Sequence, residues 1–215
     1  AANRVLMNRT VDAAILENGF DVILREGLAY DSCHVGIITN IDPDLHLGFH
    51  GIETHEQVHA VMRTQVDVVT PTAAAIDDVI KEITLPNGAA ILNARDPMLV
   101  AMSQLCHGEV IYFSIDPDLP IIKEHRQQGS GGISAKRAVL VRNGSIMLVD
   151  GVHETLLIHL AVLFPICGEA RPEVEIENVL AAIGAAWALS ILPDLMQIGI
   201  ETFGADQFYQ EMVEN

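Results

Sequence analysis

The sequence predicts an α/β fold: a mostly parallel sheet flanked by helices, with an antiparallel β appendage. Three observations carry this. Short aliphatic runs alternate with longer stretches of helical period up to Ser114. Half of the residues are hydrophobic but only 5% are aromatic, so the core is built from Val, Ile, Leu and Ala, the residues that buried parallel strands use. Finally, Asn143-Gly144 lies between two β-type runs, the strongest short-range signal of a hairpin.

Taken in order, Ala2 to Asn8 reads as the tail of a helix, and Ala13 to Leu16 as a short buried strand closed by Glu17. Asn18 to Tyr30 reads as loop with about one helical turn, and Val35 to Thr39 is the clearest strand. Thr54 to Val69 has helical length; Thr54 caps it, with Gln57 three residues on completing a capping box. A second helix is expected over Ala73 to Lys81, ended by Pro86-Asn87-Gly88. Ala89 to Asn93 is a strand, Asp96-Pro97 opens a helix running to Leu105, and Val110 to Ser114 is another strand. From Ile115 to Ala135 the pattern lapses, and Gln127-Gln128-Gly129-Ser130-Gly131-Gly132 reads as a flexible loop. Strands then follow at Ala138 to Arg142, Ser145 to Val149 and Glu154 to His159, giving a hairpin region over about 136–160. Asn178 to Leu192 and Pro193 to Phe203 are helices, which puts the C-terminal helices at about 175–204.

The 215 residues suffice for a single domain. With 29 acidic against 12 basic residues the formal net charge is −17. That field repels nucleic acid and anionic membrane surfaces, so neither is expected as a partner, while cationic substrates such as arginine are tolerated. Cys33, Cys106 and Cys167 are widely spaced and odd in number, a usage that fits a reduced, cytoplasmic setting better than a disulfide scaffold. No signal peptide and no apolar run of membrane-spanning length occurs; Leu156 to Cys167 is too short and is interrupted by His159 and Pro165. The chain starts without Met, within a helical pattern, which reads as a piece of something longer.

Three strings carry a family resemblance. Val35 to Ile41 reads V-G-I-I-T-N-I and is followed by His46-Leu47-Gly48; this resembles the central ATPase domain of the Mur ligases. Ile23 to Asp31 reads I-L-R-E-G-L-A-Y-D, which narrows the likeness to cyanophycin synthetase, whose C-terminal half is Mur-ligase-like. Glu175 to Ala182, E-I-E-N-V-L-A-A, is similar to the helix start whose Asn reads adenine in that family. The resemblance covers the whole chain and implies a Mur-ligase central-domain-like fold, a single such domain over 1–215.

The residues that could carry chemistry follow from strand ends and from this likeness. Polar groups at the carboxyl ends of strands in an open α/β sheet sit where ligands bind, which singles out Asn40. A carboxylate ending a strand, as Glu17 is expected to, can hold Mg²⁺. The resemblance makes His46 a second metal-side residue and Asn178 the adenine reader, a role suited to an amide that both donates and accepts; Asn178 also suits a helix N-cap. Asn93 and Asp96 match an L-N-x-D-D-P turn, with Asp96 as N-cap. Three departures count against activity. Leu45 replaces an Asp of the family form, and residues 18–22 lack the family's Arg and paired Gly. Met62 stands where the family keeps a metal-completing lysine, and a thioether cannot serve a hard cation. A rival constellation is His46, His50, His55 and His59, with His55 and His59 on one helix face in a spacing workable for zinc or nickel.

No G-x-x-x-x-G-K-[ST] occurs; the resemblance places the phosphate loop and an ATP-grasp module upstream and a C-terminal Mur domain downstream. It implies a cytoplasmic ATP- and Mg²⁺-dependent ligase, expected as a homo-oligomer. Such an enzyme joins aspartate and arginine, or an Asp-Arg dipeptide, to a growing cyanophycin chain through an acyl phosphate. The chain alone is expected to be inactive. A non-catalytic scaffold or oligomerisation domain is the alternative, and a His-rich metal-binding domain the remote one.

Overall fold

The computed structural model describes residues 2–42, 44–70, 88–128, 136–163 and 172–214. The expected helix at 73–81, most of the turn at 86–88, the loop at 129–132 and Cys167 lie outside them.

The described elements are α1 (Ala2–Leu6), α2 (Phe20–Glu26), β1 (Val35–Ile38), a 3₁₀ turn (Asp44–His46), α3 (His55–Met62) and α4 (Thr64–Asp67). There follow β2 (Ala89–Asn93), α5 (Pro97–Met102), β3 (Glu109–Ser114), α6 (Pro120–Gln128), β4 (Arg137–Arg142), β5 (Ser145–Asp150), β6 (His153–His159), α7 (Pro172–Ala188) and α8 (Pro193–Glu214). The six strands form one sheet in sequence order. β1 to β4 are parallel, and β5 and β6 return antiparallel. The fold is therefore the α/β arrangement with an antiparallel part that the sequence predicts.

Because the parallel strands advance in one direction, right-handed crossovers put their connecting helices on one face. Val66 of α4, Leu99 and Met102 of α5 and Ile122 of α6 share a core with Ala90, Leu92, Tyr112 and Leu140. The opposite face, through Ile91, Ile111, Phe113 and Val139, is covered by Leu180, Ala181 and Ile183 of α7, with Met196 of α8. β2 is consequently buried at every position, as a central strand covered on both sides must be. A third cluster, Phe20, Ile52 and Val58, holds α2 against α3. Among the described residues no helix is long and apolar enough to cross a membrane.

Several expectations are corrected. Ala13 to Leu16 forms no strand, and Ile15 is 97% exposed; an apolar run without a neighbouring strand to complete its hydrogen bonds stays irregular. The helical turn expected within 18–30 is the seven-residue α2. The helix expected over 54–69 divides at Arg63, where the Thr64 hydroxyl donates to the Val61 carbonyl at 2.7 Å, a back-bond of the kind that bends helices. Within 115–135 the structure has α6, which the sequence reading passed over, and Gln127 and Gln128, expected in the loop, are its last two residues. Pro120 begins it, and Ile122 and His125, three residues apart, point into the core. α7 begins at Pro172, so Asn178 is an interior helix residue and not an N-cap. α8 extends to Glu214, past the expected end at Phe203.

Candidate functional site

The carboxyl ends of β1 and β2 are bound together by one turn. Asn93 is 3% exposed at the end of β2, and its Oδ1 accepts the Arg95 amide at 2.9 Å. Asp96 caps α5 by accepting the Met98 amide at 2.9 Å through Oδ1. Its other oxygen, Oδ2, accepts the Ile41 amide at 3.3 Å, which fixes the segment after β1 beside the segment after β2. Asn40, the residue before Ile41, is exposed on this edge.

Arg95 extends the same turn to α7. Its Nη1 lies 3.0 Å from Glu177 Oε1 and 3.5 Å from Glu173 Oε2. The Glu177 side chain is 10% exposed, so the guanidinium neutralises a carboxylate that burial would otherwise penalise. Asn178 follows directly, exposed at the surface of α7. The structure thus connects Ile41, the Asn93 to Asp96 turn and Glu177 at one end of the sheet, and Asn40 and Asn178 are the chain neighbours of the two outer members. The sequence reading gave Asp96 a capping role only and assigned nothing to Arg95. The signal was there, since Arg95 departs from the L-N-x-D-D-P pattern, but its partners Glu173 and Glu177 lie about 80 residues away.

Glu17 stands apart from this arrangement: it is exposed on an irregular segment, not at a strand end. His46 ends the 3₁₀ turn and its ring stacks on buried Phe20, with centroids 4.1 Å apart and planes 18° from parallel. The four histidines of the rival constellation have separate partners. His55 Nε2 is 2.8 Å from Asp44 Oδ1. His59 Nε2 meets Met98 Sδ at 2.7 Å. His50, at φ 48°, sits edge-on to Phe49. Among the described residues no group of three or more His, Cys, Asp or Glu side chains is placed to hold a metal ion. Met62, at the expected lysine position, packs half-buried between the α2–α3 cluster and the sheet core.

Among the described residues the two thiols, Cys33 and Cys106, offer no ready nucleophile. Burial pushes Cys33 up to about 11, with neighbouring Cys106 adding to it, and burial raises Cys106 as well, so both are protonated at neutral pH. Both are free.

No protein-family model matches the chain. It is 34% identical over 199 residues to cyanophycin synthetase of Synechocystis sp., which is 93% of this chain and 20% of that protein. It is 35% identical over 205 residues to the cyanophycin synthetase of Crocosphaera subtropica, 95% of the chain and 21% of the relative. The chain is Mur-ligase-like and homologous to part of cyanophycin synthetase. It is also 25% identical over 200 residues to UDP-N-acetylmuramoyl-L-alanyl-D-glutamate–2,6-diaminopimelate ligase of Geobacter metallireducens, 92% of the chain and 32% of that ligase. The chain spans about a fifth of the length of the cyanophycin synthetases it matches.

Proposed function

We propose that this chain is the nucleotide-side part of a Mur-ligase-like domain in an ATP-dependent amide ligase of the cyanophycin synthetase kind. The observation that carries this is the linked edge at which Ile41, the Asn93 to Asp96 turn and Glu177 are joined, next in sequence to Asn40 and Asn178, in a chain similar to those ligases over nearly its full length. Asn178 is the adenine reader of this proposal, and its exposed amide can donate to one ring position and accept from another. Asn40 faces the same ligand from the β1 side. Glu17 and His46 are its metal-side residues; Mg²⁺ needs few protein ligands when water and phosphate oxygens complete its sphere. In the complete reaction ATP would convert a carboxylate to an acyl phosphate, and an amine would displace phosphate to leave an amide. The substrates are aspartate and arginine, or their dipeptide, and the product is their polymer. The setting is the cytoplasm, and the enzyme is a homo-oligomer.

A second reading, a non-catalytic scaffold, draws on the packed thioether of Met62 and on the separation of Glu17 from the sheet edge. Calorimetric titration of the full-length protein with ATP·Mg²⁺, its ATP-grasp site inactivated by mutation, separates the two. Binding that Asn178→Ala abolishes supports the nucleotide reading. Absence of binding, with polymer synthesis by the unmutated full-length protein intact, overturns it in favour of the scaffold.

A further inference from the structure

The contacts at the sheet edge form an unbroken series. Ile41 N–H meets Asp96 Oδ2; Asp96 adjoins Arg95; Arg95 Nη1 meets Glu177 Oε1; Glu177 adjoins Asn178. Arg95 is the member that joins the sheet to α7, and its backbone is itself fixed by the nearly inaccessible Asn93 side chain. Glu173 and Glu177 are one helical turn apart and carry like charge. Without the guanidinium they repel, and Glu177 is left as a buried carboxylate without its cation. The rest of α7 is held independently by Leu180, Ala181 and Ile183 in the core. Loss of Arg95 therefore loosens the beginning of the helix and leaves its middle seated.

We propose that Arg95 is a positioning residue that sets the pose of Asn178 on α7 and, through the turn it shares with Asp96, the pose of Asn40 across the edge. The ligand it serves, an adenine base, rests on the nucleotide reading above; the mechanical link does not. Both carboxylates are reached from the one nitrogen Nη1; a lysine keeps that charge on a shorter stem, so Arg95→Lys rescues in part.

The test follows the side-chain amide resonances of Asn40 and Asn178 in the ¹⁵N-labelled chain, comparing wild type, Arg95→Ala, Arg95→Lys and Glu177→Gln. Without ligand, Arg95→Ala is expected to move the Asn178 side-chain and Ile41 backbone signals and leave Ala181 and Gly184 in place. With ATP, the wild-type Asn178 signal is expected to shift, and GTP to leave it unmoved. Arg95→Ala then weakens the ATP response about tenfold and blurs the ATP-to-GTP distinction, as loss of one well-placed polar contact does. An unmoved Asn178 signal in ligand-free Arg95→Ala overturns the inference whatever ATP does. A wild-type Asn178 signal indifferent to ATP overturns the nucleotide reading instead, while the ligand-free comparison still decides the positioning role. If Arg95→Ala does not fold, Arg95→Lys carries the same comparison.

Discussion

Arg137 grips Glu109 with two nitrogens of its guanidinium, Nε to Oε1 at 2.9 Å and Nη2 to Oε2 at 2.6 Å. The third nitrogen, Nη1, donates to the Trp187 carbonyl at 2.9 Å, and the guanidinium lies 5.0 Å from the Trp187 ring centroid. One side chain thus joins the starts of β3 and β4 and supplies a second donor to a carbonyl at the end of α7, which also accepts the Ser190 amide at 3.0 Å. It does so at the opposite end of the strands from Asn93 and Asp96, so this pair is a clasp of the fold and no part of the candidate site.

Arg137→Ala should therefore cost stability without changing nucleotide binding per folded molecule. The paired side chains are only 17% and 12% exposed, and removing one partner of so enclosed a pair costs about 3 kcal/mol. Arg137→Lys should recover only part of this, because an ammonium cannot make the bidentate contact. Urea denaturation measures both; equal stability of wild type and Arg137→Ala would remove the clasp.

Gly184 allows α7 to lie close to β2. A Cβ built there would stand 2.8 Å from Cγ2 of Ile91, a side chain with no exposed surface. Gly184→Val has to displace that methyl or lift the helix, and overpacking of this kind costs about 3 kcal/mol. The expected result is a drop in the urea midpoint with the Arg95 to Glu177 contact retained. An unchanged midpoint would mean that the two layers can separate freely.

How much was legible in the sequence depended on whether neighbours along the chain decided the matter. The bounds of β2 matched because Ala89 to Leu92 are apolar on both faces and polar Asn93 and the Asp96 cap follow directly. The Thr54 to Gln57 box formed both of its reciprocal contacts for the same local reason. Ala13 to Leu16 failed because apolar character alone does not provide a strand partner. α6 was missed because the Gln127 to Gly132 stretch suggested a loop, while the Ile122 and His125 face has meaning only beside Tyr112 and Leu140. At the site, Asp96 could be read as a cap, yet its bond to Ile41 and the Arg95 to Glu177 pair span 55 and 82 residues. Pairings at that separation leave no mark in local pattern.

The hairpin between β4 and β5 turns through Asn143 at φ 51° and Gly144 at φ 72°, the left-handed pair that a two-residue turn of this type requires. A β-branched side chain at the second position carries the steric cost of that region, about 1–2 kcal/mol. Gly144→Val should lower the melting temperature by roughly 4 °C at this chain length. Gly144→Asn should lower it less, since Asn tolerates the left-handed region. Equal losses from the two variants would mean that the backbone angle is not what the glycine supplies.

His125 gives the fold a dependence on acid. It is 5% exposed, stands edge-on to Tyr112 with ring centroids 4.8 Å apart, and its Nε2 lies 3.2 Å from the Arg137 carbonyl. Burial, followed by the charge of Lys136, pulls its pKa from the usual 6.5 down to about 4, against opposing hydrogen bonds to the Arg137 and Val110 backbone. The folded-state value is the depressed one, so between about pH 6.5 and 4 the unfolded chain binds the proton first. The stabilising contribution is whole above pH 6.5, declines as the pH falls through that window, and is gone below about 4. At about 1.4 kcal/mol per pKa unit, the loss attributable to this ring is at most about 3 kcal/mol. His125→Gln removes the titrating group, so its unfolding free energy should fall less steeply from pH 6.5 to 4 than that of the wild type. The acidic side chains are common to both proteins, so the difference between the two curves isolates the histidine. Parallel curves would mean that this ring is protonated in the folded protein as readily as in the unfolded one.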